Sequence, residues 1–505
     1  MKSKFYFKRY KAISLIVAIF IGIVLAITAL PSAAVASNYE TFLGSTCLTV
    51  LELNEQRWRN EHAYLSPCLC GAVFVEGRDP QEVIENDFKK MVEFKELGDW
   101  KNTKWEVDRE NGYVRVWGLK NEKHLATPCY TSVFNPGIGC TLLPVGGERL
   151  AFEPIEIKST LPPAETQKWP LGDVDAESTF DNVDSEALEA ALDFAFDDTL
   201  HEPDMQTRAM VVIYRDKIIA ERYGNGWSKD QPHIGWSAGK SIAAALFGIA
   251  VKEYGIDVKA PAPIEEWHGV GDPRNLITPE TLLWMAGGLK FQHPGSNSDY
   301  FLTEVHDHES VYFRGINIQS FVIERPLEYI PGTVYQYRNA NPLSLMAIIR
   351  RKNEEAGENH LTWPQRMLFD KIGARSFVLE TDPYGNFIIT GYEYANARDW
   401  ARAGLLYLHD GMVNGERLWP EGWASYVSTP SPANKGYGGL VWLNTTGRWP
   451  DVPADAYFFN GYLGERVVII PSRDMVIVRL GCAYAGDFIS YFNEVLAHIL
   501  GAVKN

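Results

Sequence analysis

The sequence lacks the features that define fibrous, repetitive and disordered proteins. It has no glycine period, no internal repeat and no low-complexity segment, and 46% of its 505 residues are hydrophobic. This composition excludes a collagen-like or intrinsically disordered chain. The length is sufficient for a large core and for more than one domain.

Positive charge is also scarce. The chain has 48 Lys and Arg against 64 Asp and Glu, which gives a net charge of −16. Removal of residues 1–36, which contain five Lys or Arg and no acid, would leave the rest still more acidic. An acidic surface disfavours nucleic acid and anionic membranes as partners. We therefore expect no nucleic-acid partner.

Only one apolar run is long enough to suggest a membrane segment. Ala12–Leu30 follows the basic stretch MKSKFYFKRYK and precedes PSAAVA, which has small residues at Ala34 and Ala36. This order predicts a secretory signal peptide at residues 1–36 and an exported protein, periplasmic or extracellular. The alternative is an uncleaved N-terminal anchor, because the run is nearly long enough to span a bilayer. A membrane contact is expected only in that alternative.

Cysteines are few, and five of the six precede residue 150: Cys47, Cys68, Cys70, Cys129, Cys140 and Cys482. Cys68 and Cys70 are spaced too closely for a zinc knuckle, and no matching Cys/His pair follows them. Export permits disulfides, so we expect one or two bridges in the N-terminal region. The spacing alone does not choose among the pairings.

The patterning divides the chain into a small N-terminal region and a larger C-terminal one. Residues 37–153 predict an accessory α+β domain with a helix at Pro80–Phe94, capped by Asp79, and a hairpin at Trp105–Leu119. Residues 154–184 are rich in proline and acid and lack periodicity, which indicates a linker.

Residues 185–505 predict one large domain. An amphipathic helix, SEALEAALDFAF, precedes a hairpin at Ala209–Tyr223. Further strands are expected at Tyr437–Leu443 and Val467–Leu480, before a final helix. Strands at both ends, with mostly helical sequence between them, predict an α+β fold: an antiparallel sheet flanked by helices, with a helical insert.

The stretch HIGWSAGKS at His233–Ser241 matches three motifs that imply different chemistries. A phosphate-binding loop needs glycine at position 234, which is isoleucine. The nucleophile elbow of α/β hydrolases, G-x-S-x-G, needs a strand running directly into it and a later acid and histidine. The polar SKDQPH stands where that strand should be.

The downstream histidines lie in segments that do not favour a catalytic role in such an elbow. His498 lies within an apolar helix, where a structural role is expected, and His306 and His308 lie in the acidic loop EVHDHES. This loop is expected to be solvated rather than to bind a metal, because further ligands are missing. An α/β hydrolase using GWSAG therefore remains as a lesser alternative.

The third motif, S-x-x-K, is formed by Ser237 and Lys240. Ser237 begins SAGKSIAAALFGIAVKEYG, which is apolar almost all round and stops at Gly255, so a buried helix with a glycine cap is predicted. Residues three apart share a helix face, so the amine can reach the hydroxyl. Burial lowers a lysine pKa, and a neutral amine can then activate a serine nucleophile.

Several longer stretches carry a resemblance to a known family. GWSAGKSIAAALFGIAVKEYG, RPLEYIPGTVYQYRNANPLSLM and ARDWARAGLLYLHDGMVNGERLWPEGW resemble the serine β-lactamase/penicillin-binding superfamily. Within it the chain is most similar to class C-like hydrolases and the 6-aminohexanoate-dimer hydrolase group. The resemblance covers about residues 195–500 and implies a serine hydrolase without metal or organic cofactor.

The family's second motif, Y-x-N, is matched by Tyr337-Arg338-Asn339 after the turn PGT. The resemblance implies that Tyr337 shuttles a proton to the leaving group and that Asn339 hydrogen-bonds Lys240 or the substrate. Which of Lys240 and Tyr337 acts as the base is left open, and the two are expected to titrate together.

The third motif, K-T-G or H-x-G, aligns with Phe459-Asn460-Gly461 before Tyr462, so the glycine is present and the cation is missing. The resemblance implies that Asn460 and Gly461 border the substrate and that the N–H groups of Tyr462 and Ser237 form the oxyanion hole. Without the cation, linear amides or esters are expected as small-molecule substrates, in preference to β-lactams.

The N-terminal stretches CGAVFVEGRDP and NPGIGCTL resemble an accessory region that precedes some of these hydrolase domains. With that resemblance we predict a disulfide between Cys70 and Cys140. A non-hydrolytic penicillin-binding-like or sensor protein on the same fold remains the main alternative function.

Overall fold

A computed structural model of the protein describes residues 50–90, 101–122, 124–147, 149–197, 199, 205–292, 306–484 and 486–504. The predicted signal peptide, Cys47 and the end of the helix predicted at Pro80–Phe94 lie outside the described residues. None of the helices in the described part combines the length and apolarity that a membrane crossing requires. Residues 56–505 form one compact unit.

The strands fall into two main sheets and smaller pairings. They are β1 Thr103–Asp108, β2 Tyr113–Gly118, β3 Tyr130–Asn135, β4 Gly139–Leu142, β5 Thr207–Tyr214, β6 Lys217–Tyr223, β7 His233–Ile234, β8 Val378–Leu379, β9 Glu393–Ala395, β10 Met412–Val413, β11 Glu416–Arg417, β12 Trp442–Leu443, β13 Tyr457–Asn460, β14 Arg466–Ile470 and β15 Met475–Gly481.

The α-helices are α1 Val50–Phe74, α2 Pro80–Val83, α3 Ser185–Phe196, α4 Gly239–Tyr254, α5 Pro279–Leu283, α6 Asp307–Phe313, α7 Ile318–Ile323, α8 Ala340–Glu355, α9 Asp370–Ile372, α10 Ala397–Leu408, α11 Trp423–Val427 and α12 Phe488–Ala502. Two short π-helical segments, Ile84–Phe88 and Gln365–Phe369, adjoin α2 and α9. Short 3-10 turns lie at Ala164–Thr166, Trp236–Ala238, Glu265–Trp267, Pro273–Leu276, Tyr462–Gly464 and Pro471–Arg473.

The six-stranded antiparallel sheet has the order β12-β13-β14-β15-β5-β6. Pairing of β5 with β15 joins the two ends of the large region, as the sequence predicts. Alternate residues along a strand face opposite sides, so the sheet supplies two cores. Val467 and Ile469 contribute to the core shared with α4 and α10, and Val468 and Ile470 to the core shared with α3 and α12.

The N-terminal region contributes the four-stranded sheet β1-β2-β3-β4 and α1. Asp79 caps α2 by accepting the N–H groups of Gln81 and Glu82, and β1 and β2 form the predicted hairpin. A disulfide joins Cys70 in α1 to Cys140 in β4 across a sequence separation of 70 residues, which confirms the predicted pairing.

Side chains of the N-terminal region pack into the hydrophobic core that is shared with α4 and α10. Tyr64 of α1 stacks near Trp236 at 6.1 Å between ring centres and lies edge-on to Phe313 at 5.6 Å. The residues expected to form a linker run along the same unit, where Arg402 binds the carbonyls of Pro170 and Gly172. The domain boundaries themselves stay sequence-based predictions.

Candidate active site

Ser237 lies in a short 3-10 turn that precedes α4. The sequence predicts a helix beginning at Ser237, but α4 begins at Gly239, because Trp236 adopts φ +50° and the chain turns sharply there. The turn is anchored by antiparallel pairing of β7 with β9 and by the Gly235 N–H, which donates to the Glu393 carbonyl at 2.7 Å. A tryptophan in the left-handed backbone conformation is strained, and such a conformation persists only where the surrounding contacts hold the backbone in place.

α4 is buried along its first three turns, from Gly239 to Ala250, and ends at Gly255 with φ +63°, as the sequence predicts. Lys240 lies in the first turn of this helix and is buried in the core, with 1% of the lysine's surface exposed. Its Nζ lies 2.9 Å from Ser237 Oγ and 2.8 Å from the Thr390 carbonyl oxygen. The predicted contact between amine and hydroxyl is therefore present.

Burial lowers the pKa of Lys240 from 10.5 to about 7, and the nearby Glu393 acts in the opposite direction. At neutral pH a large share of the lysine is therefore uncharged. A neutral amine has a lone pair that can accept the proton of the Ser237 hydroxyl. The pair has the geometry and the protonation state of a nucleophile and its base.

Tyr337 approaches the pair from the loop before α8. Lys240 Nζ lies 4.9 Å from the centre of its ring, and the ring packs against Trp442 at 5.6 Å and Tyr437 at 6.1 Å. Burial raises the pKa of Tyr337, with a smaller opposing effect from a hydrogen bond with Ser237. The phenol is thus protonated at neutral pH and can serve as a proton donor.

Asn339 is buried beside this group and contacts Tyr312 rather than Lys240, one of its two expected partners, whereas its expected bond to the substrate stays a prediction. In the described part of the chain its Nδ2 donates to Tyr312 Oη at 2.9 Å and is not bonded to Lys240. Tyr312 Oη lies 2.9 Å from the Thr390 carbonyl, the same oxygen that receives Lys240. Asn339 therefore reaches the lysine indirectly, because Tyr312 and Thr390 occupy the space between them.

The strand carrying the third motif ends beside the nucleophile turn. Phe459 stands where the family has its cation, fully buried and edge-on to Tyr407 at 5.0 Å. A Cβ on Gly461 would lie 2.3 Å from the Gly235 carbonyl oxygen. The glycine expected to allow close approach of a substrate is thus required by the chain's own backbone.

Asn460 ends β13 with a buried Oδ1 that has no partner among the described residues. Tyr462 follows in the 3-10 turn Tyr462–Gly464, which packs against the turn of Ser237, and its ring lies 5.8 Å from Trp236. Ser237 and Tyr462 thus lie in two neighbouring 3-10 turns, and the oxyanion role expected for their N–H groups stays a prediction.

Glu393 is a site residue that the sequence analysis missed. Its side chain is fully buried, and its Oε1 accepts the Gly239 N–H at 2.9 Å. Burial raises the pKa of Glu393 well above its usual value, against the opposing effect of Lys240. Burial therefore favours the protonated form of this carboxyl, and a Cβ on Gly239 would collide with it.

The histidines considered from the sequence lie elsewhere or serve other contacts. His498 is an exposed residue of α12 whose ring packs on Phe194 at 4.8 Å. His306 caps α6, and His308 lies near Asn339, with Nε2 3.4 Å from Nδ2. Among the described residues, no cluster of three or more His, Cys, Asp or Glu side chains is arranged to hold a metal ion.

Comparison with known proteins agrees with this geometry. Residues 192–481 match the sequence profile of the Beta-lactamase family. A 6-aminohexanoate-dimer hydrolase from Paenarthrobacter ureafaciens is 27% identical over 233 residues. Those residues are 44% of this chain and 57% of that protein, so the chain spans little more than half the length of this relative.

Solved structures show the same architecture. A protein from Bacillus anthracis described as a 6-aminohexanoate-dimer hydrolase superposes with a TM-score of 0.50 at 21% identity, over 66% of this chain and 90% of its own. A family VIII carboxylesterase gives a TM-score of 0.50 at 12% identity, over 63% of this chain and 97% of its own. Likeness at such identities shows the fold, and it confirms the predicted antiparallel α+β class.

Proposed function

Because the chain belongs to the β-lactamase family of serine hydrolases, we propose that it cleaves a linear amide or ester through an acyl-enzyme on Ser237. The observation that carries this proposal is the 2.9 Å contact between Ser237 Oγ and the buried Lys240 amine. Serine is a weak nucleophile without a base, and a lysine with a pKa of about 7 is a suitable base at neutral pH.

Acylation begins when Ser237 Oγ attacks the substrate carbonyl carbon and its proton passes to Lys240 Nζ. The carbonyl oxygen gains negative charge, which the N–H groups of Ser237 and Tyr462 stabilise. Collapse of the tetrahedral intermediate breaks the C–N or C–O bond. Tyr337 gives its proton to the departing amine or alcohol and recovers one from Lys240.

Deacylation repeats these steps with water as the nucleophile. Lys240 takes a proton from the water, the hydroxide adds to the acyl carbon, and the acid leaves as Ser237 recovers its proton. We assign the base to Lys240 because burial raises the pKa of Tyr337, so that phenol holds its proton near neutral pH. This assignment gives each of the three side chains one role.

Two features bear on substrate and location. Phe459 replaces the cation of the third motif, which favours linear amides and esters over β-lactams. The Cys70–Cys140 disulfide supports an exported enzyme, since such bonds persist in oxidising compartments. The 6-aminohexanoate-dimer hydrolase relative makes short linear amides the first compounds to test.

The test is turnover of a 4-nitrophenyl ester and of short linear amides, with intact-mass detection of an adduct on Ser237. Ser237→Ala should abolish both, whereas Ser425→Ala, at an exposed serine of α11, should abolish neither. Lys240→Ala should lower kcat by about 10³-fold or more, as expected for loss of a general base. Lys252→Ala, at the exposed end of the same helix, is its control.

Two results would contradict the proposal. Full activity in Lys240→Ala would exclude the lysine as base. A stable adduct without turnover would instead identify a non-hydrolytic penicillin-binding-like or sensor protein.

A further inference from the structure

The strand that leads to Ser237, β7, has its outer edge closed by a side chain of the N-terminal region. In the described part of the chain β7 is the outer strand of the sheet β7-β9-β8 and pairs with β9 alone. On its other side the Ile234 N–H donates to Glu76 Oε1 at 3.0 Å. The N–H groups on the outer edge of a strand have no partner within the sheet, and a buried one needs another acceptor. Glu76 supplies that acceptor.

Glu76 is itself held in place by three further contacts. It lies between α1 and α2 with 5% of its surface exposed. Its Oε2 accepts a hydrogen bond from Arg78 Nη1 at 3.2 Å, and its carbonyl oxygen accepts one from Gln231 Nε2 at 3.0 Å. Its N–H donates to the Gly71 carbonyl at 3.0 Å. Both the backbone and the carboxyl of Glu76 are therefore fixed, and the acceptor that faces Ile234 is held in one orientation.

Buried ion pairs anchor the segment around Glu76 to the six-stranded sheet. Arg78 donates to Asp87, and Asp87 also accepts a hydrogen bond from Arg208 of β5. The side chains of Arg78 and Arg208 are 4% and 8% exposed. Their guanidinium carbons lie over the ring of Trp227, at 5.0 and 4.6 Å from its centre. Removal of one partner from a buried ion pair is strongly destabilising, so the segment is firmly tied to the sheet independently of its contact with β7.

Two aromatic contacts extend this support to the residues next to the nucleophile. The ring of Trp227 also stacks on His233 of β7, at 4.3 Å between ring centres. Tyr64 of α1 stacks on Trp236 at 6.1 Å. Trp236 directly precedes the nucleophile and has φ +50°, a conformation that needs support from its surroundings. Contacts made by the N-terminal region, or through Trp227, thus reach positions 233, 234 and 236.

We propose that Glu76 is a positioning residue for Ser237, and that the N-terminal region is required for the geometry of the nucleophile turn. This inference rests on the proposed function. Glu76 acts through Ile234, three residues before Ser237, and it holds one side of β7 while β9 holds the other. Attack on a carbonyl carbon needs Oγ at a near-attack distance and angle, so a small shift of the turn lowers the rate of acylation.

Two variants of Glu76 separate the hydrogen-bond acceptor from the size of the side chain. Glu76→Gln keeps an oxygen for the Ile234 N–H, whereas Glu76→Leu has a similar size and no acceptor. The kcat/KM for a 4-nitrophenyl ester is divided by the fraction of chains that a fluorophosphonate labels on Ser237, so that only competent sites are counted. Glu76→Leu should lower this per-site value by about 10- to 100-fold, and Glu76→Gln should keep it within about threefold.

A purely structural role of Glu76 predicts a different result. It would lower the labelled fraction or the unfolding temperature of Glu76→Leu and leave the per-site kcat/KM of the labelled chains unchanged, and that outcome would overturn the proposal. Equal losses in Glu76→Gln and Glu76→Leu would also overturn it, because the acceptor would then not matter. Glu85→Leu, at an exposed position of the same segment, is the matched control and should leave kcat/KM unchanged.

Hydrogen exchange measures the contact without any turnover. In the wild type the Ile234 amide should exchange far more slowly than that of Lys229, in the exposed turn before β7. Glu76→Leu should speed the exchange at Ile234 by about tenfold or more, and Glu76→Gln should not. Exchange at Ile234 as fast as at Lys229 in the wild type, or unchanged in Glu76→Leu, would overturn the positioning role whether or not esters are hydrolysed. Absence of any turnover or Ser237 adduct in the wild type would overturn only the proposed hydrolysis.

Discussion

The Thr390 carbonyl oxygen lies 2.8 Å from Lys240 Nζ, and this contact orients the amine. A carbonyl oxygen only accepts hydrogen bonds, so it takes one N–H of the neutral lysine and leaves the lone pair for another partner. Ser237 Oγ, at 2.9 Å, is that partner. Tyr312 and Asn339 continue the network behind Thr390 and hold the carbonyl in place.

The pH dependence of hydrolysis should report the lysine. Burial lowers the pKa of Lys240 to about 7, and only the neutral amine can accept the serine proton. We expect kcat/KM for a nitrophenyl ester to fall about tenfold per pH unit below about pH 7 and to level off above it. A profile flat from pH 5 to 9, or one still rising above pH 9, would exclude a neutral Lys240 as the base.

The free energy of unfolding should also depend on pH through Lys240, and the contribution of this lysine should rise with pH. The unfolded chain protonates Lys240 near pH 10.5, whereas the folded protein does so near 7. Burial of the charged lysine therefore lowers the free energy of unfolding by its full amount below about pH 7. This cost shrinks between about pH 7 and 10.5 and is absent above about pH 10.5. Lys240→Met should raise the free energy of unfolding at pH 7 by up to about 5 kcal/mol, since the pKa falls from 10.5 to about 7 on folding and each pKa unit corresponds to about 1.4 kcal/mol.

Urea unfolding of wild type and Lys240→Met at pH 7 and pH 10 measures this difference. The advantage of the variant should decrease as the pH rises, because the wild type then no longer buries a charge. Lys252→Met, at an exposed position of the same helix, should show no such trend. An advantage independent of pH would mean that Lys240 is not the cause.

The site residues that could be predicted from the sequence alone are those that lie close together along the chain. Ser237 and Lys240 are three residues apart at the start of an apolar helix, so their contact follows from helical geometry. The fold class followed from strands at both ends of the large region. Tyr337 required the resemblance, because a phenol from a distant loop has no local signal.

The remainder depends on tertiary structure. Thr390 acts through a backbone carbonyl, which every residue has, so no sequence pattern marks it. Glu393, within GYEYANARD, is indistinguishable in sequence from an exposed strand carboxylate, and only the packing of β9 against the nucleophile turn buries it. Among the described residues Asn339 bonds to Tyr312 and not to Lys240, because Tyr312, from α6, fills the intervening space.

Replacement of Glu393 by glutamine tests whether its carboxyl is neutral. Burial raises the pKa of Glu393, and a protonated carboxyl resembles the amide in shape and charge. Glu393→Gln should therefore keep kcat within about threefold and leave the pH midpoint of the lysine near 7. Its amide oxygen would still accept the Gly239 N–H. If Glu393 were ionised, the variant would move that midpoint down by about one unit or more, and the same pH series would show it.

Removal of the Cys70–Cys140 disulfide should weaken the whole compact unit. The bond closes a 70-residue separation between α1 and β4, and α1 side chains contact the nucleophile turn through Tyr64 and Trp236. The double change to alanine should lower the free energy of unfolding by about 4 kcal/mol, from the chain entropy regained by the unfolded state. Cys129→Ala, at an exposed free cysteine, should change it by less than about 0.5 kcal/mol. Denaturant unfolding under non-reducing conditions makes the comparison, and equal stability of the two variants would show that the bridge adds nothing to folding.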